Sequence, residues 1–335
     1  MKRRKFIKRL GVGGTATLLP STLLSFAPSV LSDKTSKTLR FGIVADVHKD
    51  LTPDANERLE KFMSEAINRK VDFIIQLGDF CMAEKENEAF MSIWETYKGP
   101  KYHVLGNHDM DRHSKSTMLD FWGMPKTYYS FDVSGFHFIV LDANFLYQDG
   151  KFIDYDKANF YVDNSLRTFI NDEQIEWFQA DLKTTKLPTI VFSHQSLWHY
   201  QWGVKNRLTL QRIMETYKEK VICCMNGHNH IDFHHHQNGI DYLEINSMSY
   251  QWMSDKYKSM ERFPKELYTK YKWLPNIAAY KDPLYAFASL DPNGSFLVEG
   301  VKSEWLSPSP FDIGMPKGIL GSQLSAEISD YKLDF

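Results

Sequence analysis

Cysteine is scarce in this chain: three in 335 residues, Cys81, Cys223 and Cys224. An odd count argues against a disulfide framework. Cys223 and Cys224 sit in the apolar run Val221-Ile222-Cys223-Cys224-Met225 and read as small core residues of a strand. An excess of charge of one sign is also missing. The formal net charge is −2, which gives no reason to expect a nucleic-acid partner. There is no internal repeat, no low-complexity run, and no apolar stretch long enough to span a membrane. What remains, 43% hydrophobic and 24% charged, is the composition of a soluble globular protein of one large domain or two ordinary ones. Aromatics are plentiful at 14%, which fits a large core or aromatic-lined clefts.

The N-terminus stands apart. Lys2-Arg3-Arg4-Lys5-Phe6-Ile7-Lys8-Arg9 is basic, and residues 10–26 are apolar and small. That is the layout of a signal peptide, too short and too weakly hydrophobic for a spanning helix. The run from Arg3 to Lys8 resembles a twin-arginine export signal, so residues 1–34 are expected to be signal and linker, and the protein exported, to the periplasm. Residues 1–27 carry six basic residues and no acid, so without them the formal charge moves from −2 to −8.

The remainder alternates. Residues 39–45 read as a buried strand ending on Asp46-Val47-His48, and 53–68 as a helix with Leu59, Phe62, Met63, Ala66 and Ile67 on one face. A second strand, 71–77, ends on Gly78-Asp79, and a helix follows over 84–97. A third apolar run reaches Gly106-Asn107-His108-Asp109, where Gly106 is expected to permit a tight turn off the strand. This β-α-β-α-β order predicts a largely parallel sheet with helices on its faces. Segments 127–133 and 136–141 then read as a hairpin, 144–165 as a long aromatic loop, 172–183 as a helix, and 188–193 as a strand ending on His194. A helix over 207–217 leads to a strand over 220–226, which ends on Gly227-His228-Asn229-His230. A hairpin turns on Asn238-Gly239, and final strands flank Asp291-Pro292-Asn293-Gly294. The domain is bounded at 38–305, with insertions at 144–171 and 251–282 and a tail over 306–335.

Five strand ends thus carry polar clusters: Asp46 with His48, Asp79, Asn107 with His108 and Asp109, His194, and His228 with His230. Imidazole nitrogens and hard oxygens without a thiolate suit Zn, Mn or Fe better than Ca or Mg. Seven ligands exceed one tetrahedral site. They suit two metals roughly 3.5–4 Å apart that share a bridging carboxylate.

Together, Asp-x-His, Gly-Asp, Gly-Asn-His-Asp, His and Gly-His-x-His resemble the signature of the calcineurin-like metallophosphoesterase family, over about residues 39–301. The resemblance implies a four-layer α/β/β/α sandwich of two mixed sheets. It implies two divalent ions, one held by Asp46, His48 and His230, the other by Asn107, His194 and His228, with Asp79 bridging. His108 would be the proton donor beside the leaving group. The expected reaction is attack on a phosphomonoester or phosphodiester by a metal-bridged hydroxide, since two cations neutralise the phosphate and acidify a water between them. Neutral histidine ligands make metal binding weaken below about pH 6.

Two departures narrow this expectation. The family's protein serine/threonine phosphatases carry Gly-Asp-x-x-Asp-Arg-Gly; here the run is Gly78-Asp79-Phe80-Cys81-Met82-Ala83-Glu84, without the acid that orients the catalytic histidine or the arginine. A small-molecule phosphoester is therefore favoured over a phosphoprotein, and His108 is left without an assigned partner. Met82 stands where purple acid phosphatases place a tyrosine ligand, so no iron–tyrosinate centre is expected. The competing readings are a non-catalytic binding module of the same fold, a phosphoprotein phosphatase, and a metallohydrolase of carbon esters or amides. His103, His113, His137 and His199 read as structural, with a substrate contact as the alternative for His199. His234-His235-His236 reads as a strand that alternates faces, and Asp109 as a buttress of its loop. The tyrosines Tyr147, Tyr155 and Tyr161, with Trp252, Tyr257 and Trp273, read as surface packing or as cleft walls, with a lean to the cleft.

Overall fold

The computed structural model describes residues 37–335, so the signal and linker assigned to 1–34 lie outside the described residues. Two six-stranded mixed sheets carry the fold. In the first, Leu39–Val44, Phe73–Gln76 and Lys101–His103 run parallel, and Ala286–Asp291, Ser295–Gly300 and Tyr331–Asp334 continue the sheet antiparallel from Leu39–Val44. In the second, Phe136–Leu141, Thr189–Ser193, Val221–Asn226 and Ile240–Glu244 run parallel, with Tyr129–Val133 and Phe233–Gln237 as antiparallel edges.

The central strands are apolar on both faces, and alternate residues go to different cores. Phe138, Val140, Ile190 and Phe192 of the second sheet join Phe41, Ile43, Phe73 and Ile75 of the first in one buried cluster. Phe41 stacks on Phe73 within its own sheet, with centroids 4.6 Å apart, and meets Phe138 of the other sheet edge-on at 5.8 Å. The intervening residues face outward. Val44 and Ile74 pack with Leu59, Phe62 and Met63 of helix Ala55–Arg69 and with Trp94 of helix Glu88–Trp94. Ile139 and Val191 pack with Phe178 and Leu182 of Asp172–Thr184 and with Leu210 and Met214 of Arg207–Thr216. Helices therefore cover the outer face of each sheet, the order expected for an α/β/β/α sandwich.

Two segments differ from expectation. The stretch read as a loop at 144–165 holds the strands Phe145–Gln148 and Lys151–Asp154, which with Arg167–Phe169 form a small three-stranded sheet. Its turn is Asp149-Gly150, both with positive φ, the Asp-Gly signal of a two-residue hairpin. The segment 306–335, read as a tail, supplies the edge strand Tyr331–Asp334 of the first sheet. In the 251–282 insertion, Tyr250–Trp252 pairs with Ile277–Ala279 over a small cluster built on Tyr250, Leu274 and Ile277.

Candidate metal centre

The parallel strands of both sheets deliver their ends to one place. Asp46 and His48 follow Leu39–Val44, Asp79 follows Phe73–Gln76, Asn107 and His108 follow Lys101–His103, His194 follows Thr189–Ser193, and His228 and His230 follow Val221–Asn226. Asp46, His48, Asp79, His228 and His230 have φ between 50° and 69°. That left-handed backbone costs a side-chain-bearing residue about 1–2 kcal/mol each and persists only where the surroundings fix it. Here the amides of Asp46 and His48 donate to Gly78 O and Asp79 O at 3.1 and 2.9 Å. Gly106 does not have positive φ; it serves by lacking a Cβ, which would land on the backbone and carboxylate of Asp79. The expectation of a turn-making glycine is thus replaced by one of close approach.

Two groups of donor atoms result. In the first, His230 Nε2 lies 3.2 Å from Asp46 Oδ1 and 3.2 Å from His48 Nε2. In the second, His194 Nε2 lies 3.1 Å from Asp79 Oδ2 and 3.2 Å from His228 Nδ1. The ligand atoms of each group fall within 4.8 Å of one another, and His48 Nε2 to Asp79 Oδ2, at 3.6 Å, connects the two. Each carboxylate has one oxygen tied to backbone: Asp79 Oδ1 accepts from His108 N at 2.8 Å, and Asp46 Oδ2 from His228 N at 2.9 Å. The other oxygens face the imidazoles. His194 Nδ1 donates to Leu77 O at 2.7 Å and His230 Nδ1 to Tyr250 O at 2.8 Å, which leaves Nε2 of both rings with its lone pair directed inward.

This donor set fits two cations. Asp46 Oδ1 is buried without a hydrogen-bond partner, and imidazole nitrogens meet nitrogen to nitrogen in both groups. Burial pushes His48 and His228 well below the usual histidine range, so both are neutral, as ligands must be. Burial alone would do the same to His194, but the carboxylates of Asp79 and Asp46 outweigh it and lift its pKa to about 9. A positive charge is therefore favoured between His194 and the two acids.

Asn107 is buried in the same turn, its Oδ1 3.5 Å from Gln195 Nε2. Gln195 also donates to Asn144 Oδ1 at 2.8 Å, and Asn144 Nδ2 to Leu105 O, so two amides that sequence reasoning did not single out brace this corner. Asp109 accepts from the amides of Asp79, Phe80 and Gly106 at 3.0, 2.8 and 2.7 Å, the buttress expected of it.

His108 stands at the open side, its side chain 38% exposed and its ring 5.5 Å from that of His48. Its missing partner is Asp111, whose Oδ2 lies 2.9 Å from Nδ1. The two sit at i and i+3 of one 3-10 turn, where side chains eclipse, so His108-Asp109-Met110-Asp111 held a usable signal. Burial would lower the histidine, but Asp79 and Asp111 raise it to about 9. Tyr161 Oη reaches within 3.5 Å of both His108 Nδ1 and Asp111 Oδ1.

The other histidines stay outside the centre. His103 is buried between Gln76 and Trp94, and His137 between Asp132 and Asp181. His113 pairs with Glu84. His234 and His236 both bond Asp241, while His235 stacks on Trp198, as an alternating strand requires. His199 lines a separate cavity of about 580 Å³ with Trp198, Arg207 and Phe233, away from the ligand groups.

Comparison with known proteins adds three observations. Residues 39–232, which contain every candidate ligand, match the family of calcineurin-like phosphoesterases. A dimetal phosphatase from Danio rerio superposes with a TM-score of 0.58 at 16% identity, covering 81% of this chain and 99% of that one. GAP50, the anchor in the inner membrane complex of Plasmodium, superposes with a TM-score of 0.52 at 18% identity, covering 89% of each chain. At these identities the likeness is one of fold. No curated protein matches the sequence.

Proposed function

Because this chain belongs to the calcineurin-like phosphoesterase family, and is with it a metal-dependent phosphoric ester hydrolase, we propose that it cleaves a small-molecule phosphomonoester or phosphodiester at a two-metal centre. The observation that carries this reading is the pair of donor groups meeting at Asp79. Asp46, His48 and His230 are assigned to one ion, Asn107, His194 and His228 to the other, and Asp79 to both. When bound, the ions supply positive charge against the phosphate oxygens and make water acidic enough to be a nucleophile near neutral pH.

The chain's own residues supply the rest. Asp79 and Asp46 each hold one oxygen against backbone and turn the other inward. The backbone bonds of His194 and His230 keep Nε2 facing the centre. His108 has Nδ1 engaged by Asp111, so Nε2 is the atom that hands a proton to the departing alkoxide. Export through a twin-arginine signal within residues 1–34 is part of the proposal and rests on the basic and apolar pattern there.

A non-catalytic role is the competing reading, because the same fold carries an anchor protein. The full ligand set speaks against it. The deciding experiment is a panel of phosphomonoesters, phosphodiesters and carboxyl esters assayed after reconstitution with Mn, Zn or Fe. Turnover of a phosphoester with at least one metal is expected. Two bound metals with no turnover of any phosphoester would favour the binding module, and turnover of carboxyl esters alone would assign a different hydrolase.

A further inference from the structure

The 145–169 insertion is tied to the turn that carries His108. Ala158 N donates to Met110 O at 2.9 Å and Lys157 N to His113 O at 3.3 Å. Both residues are left-handed, with φ 46° at Lys157 and 61° at Ala158, and neither is a glycine. Further bonds fix the segment: Arg167 Nη1 donates to Phe160 O at 3.0 Å, Asn159 Nδ2 to Asp154 O at 2.9 Å, and Tyr161 N to Ala158 O at 3.2 Å. Two consecutive strained residues held by this many bonds mark a conformation the fold maintains against local preference.

That conformation presents Tyr161. Tyr155 is 1% exposed and stacks on Phe160 at 4.8 Å; Phe160 is 2% exposed and packs against Tyr161 at 4.7 Å. Phe160 also meets His108 edge-on at 5.9 Å. Of the three rings only Tyr161 is open to solvent, 64% exposed, with its centroid 6.4 Å from that of His108. A large aromatic surface left exposed beside a proton donor, on a rigid aromatic base, is a contact surface for what that donor protonates.

We infer that Tyr161 is the leaving-group platform of this site, and that the leaving alcohol of the substrate carries a planar, aromatic group that packs on its ring. The inference rests on the proposed role of His108, because that role puts the departing oxygen, and whatever is attached to it, on the Tyr161 side. The other tyrosines of the insertion are not candidates: Tyr155 is core, and Tyr147 packs with Phe152 and Phe169 of the small sheet.

The test uses equilibrium binding, so that the acidity of a leaving group does not enter. Phenylphosphonate and methylphosphonate present the same charged head with and without a ring. Calorimetry on the metal-loaded protein is expected to show the phenyl compound binding about tenfold tighter, the scale of an aromatic pair. In Tyr161→Ala the preference falls to within about twofold, and in Tyr161→Phe it is kept, because the ring and not the hydroxyl carries it. No preference in the unchanged protein, or a preference that survives Tyr161→Ala, overturns the inference. The role of His108 is examined apart, by His108→Asn on alkyl phosphoesters. An undiminished rate there removes the premise, whereas a large loss beside a failed phosphonate preference overturns the platform alone.

Discussion

The candidate ligand groups and the proposed leaving-group side of this site are built on opposite principles. Asp46, His48, Asp79, His194 and His230 are buried and stand at the ends of parallel strands, and Asp46, Asp79, His194 and His230 each have their spare polar atom tied to backbone. His108, Asp111 and Tyr161 come from a short turn and an insertion, are partly open to solvent, and hold one another through side chains. The two regions, a floor and a rim, are thus held by separate sets of bonds, so a change in one need not disturb the other. The comparison predicts that floor substitutions remove the metals and rim substitutions do not. Asp79→Ala and Asn107→Ala should lower turnover of any phosphoester by at least about a thousandfold, with metal content, measured by elemental analysis, falling in parallel. Full metal content in Asp79→Ala would break the division at its centre.

The next largest effect is expected at Asp111. Asp111→Asn removes the charge that engages His108 Nδ1 and leaves the floor untouched. Alkyl phosphoesters need a proton on the leaving oxygen and should slow by about 10–100-fold, part of the roughly 10²–10⁴-fold that a general acid supplies, since His108 itself is kept. 4-Nitrophenyl esters leave as a stable anion and should lose at least tenfold less. Metal content should stay at the unsubstituted level. An equal loss with both leaving groups would make Asp111 a structural residue, and loss of metal would merge the two regions.

The same contrast explains what was legible in the sequence. Each floor residue ends an apolar run, and runs buried on both faces declare their strands. The five corners could therefore be placed without knowing how the sheets pack. The helices and most strands were legible for the same reason. The rim was not. Asp111 becomes a partner of His108 only once residues 108–110 take a 3-10 turn, and Tyr161 reaches the site only because two non-glycine residues adopt left-handed backbone. The i, i+3 spacing of His108 and Asp111 is visible in the sequence but counts only once the turn is known, and no spacing announces Tyr161. The small sheet at 145–169 did leave a trace in Asp149-Gly150, which the aromatic density around it masked. The edge strand Tyr331–Asp334 is four residues long, with only Leu333 buried, too little pattern to read as sheet.

Protonation offers a smaller test of the division. In metal-free protein, His194 is held at about 9 by Asp79 and Asp46, and His108 at about 9 by Asp79 and Asp111, both against the effect of burial. A histidine raised on folding adds stability below its unfolded pKa of about 6.5 and loses it as pH rises through 9. Buried His48 and His228 are lowered, so the unfolded chain takes up their protons first and stability falls as pH drops below about 6.5. The melting temperature of metal-free protein should therefore peak near pH 6.5 and fall by about 5 °C on the alkaline side by pH 9. A metal held by His194, as proposed, takes the place of its proton, so in loaded protein the alkaline fall should shrink to the part that His108 contributes. An alkaline limb of the same slope in both forms would mean that His194 does not face the metals.

The smallest effect sharpens the comparison most, because left-handed residues occur in both regions. On the floor, Asp46 and His48 carry that strain together with a candidate ligand atom, so replacing either with glycine relieves the backbone but removes that atom. On the rim the strain at Ala158 serves only to place its neighbours. Its methyl is half-buried against the cluster that contains Leu59, Phe62 and Trp94. Glycine at 158 removes about 1–2 kcal/mol of left-handed strain and gives back about 0.5–1 kcal/mol in chain entropy. Ala158→Gly should therefore raise stability by up to about 1.5 kcal/mol, a rise of about 2 °C in the melting temperature of metal-loaded protein. Metal content should be unchanged. A drop of the same size would mean that packing of the methyl, and not the backbone, holds the turn that presents Tyr161.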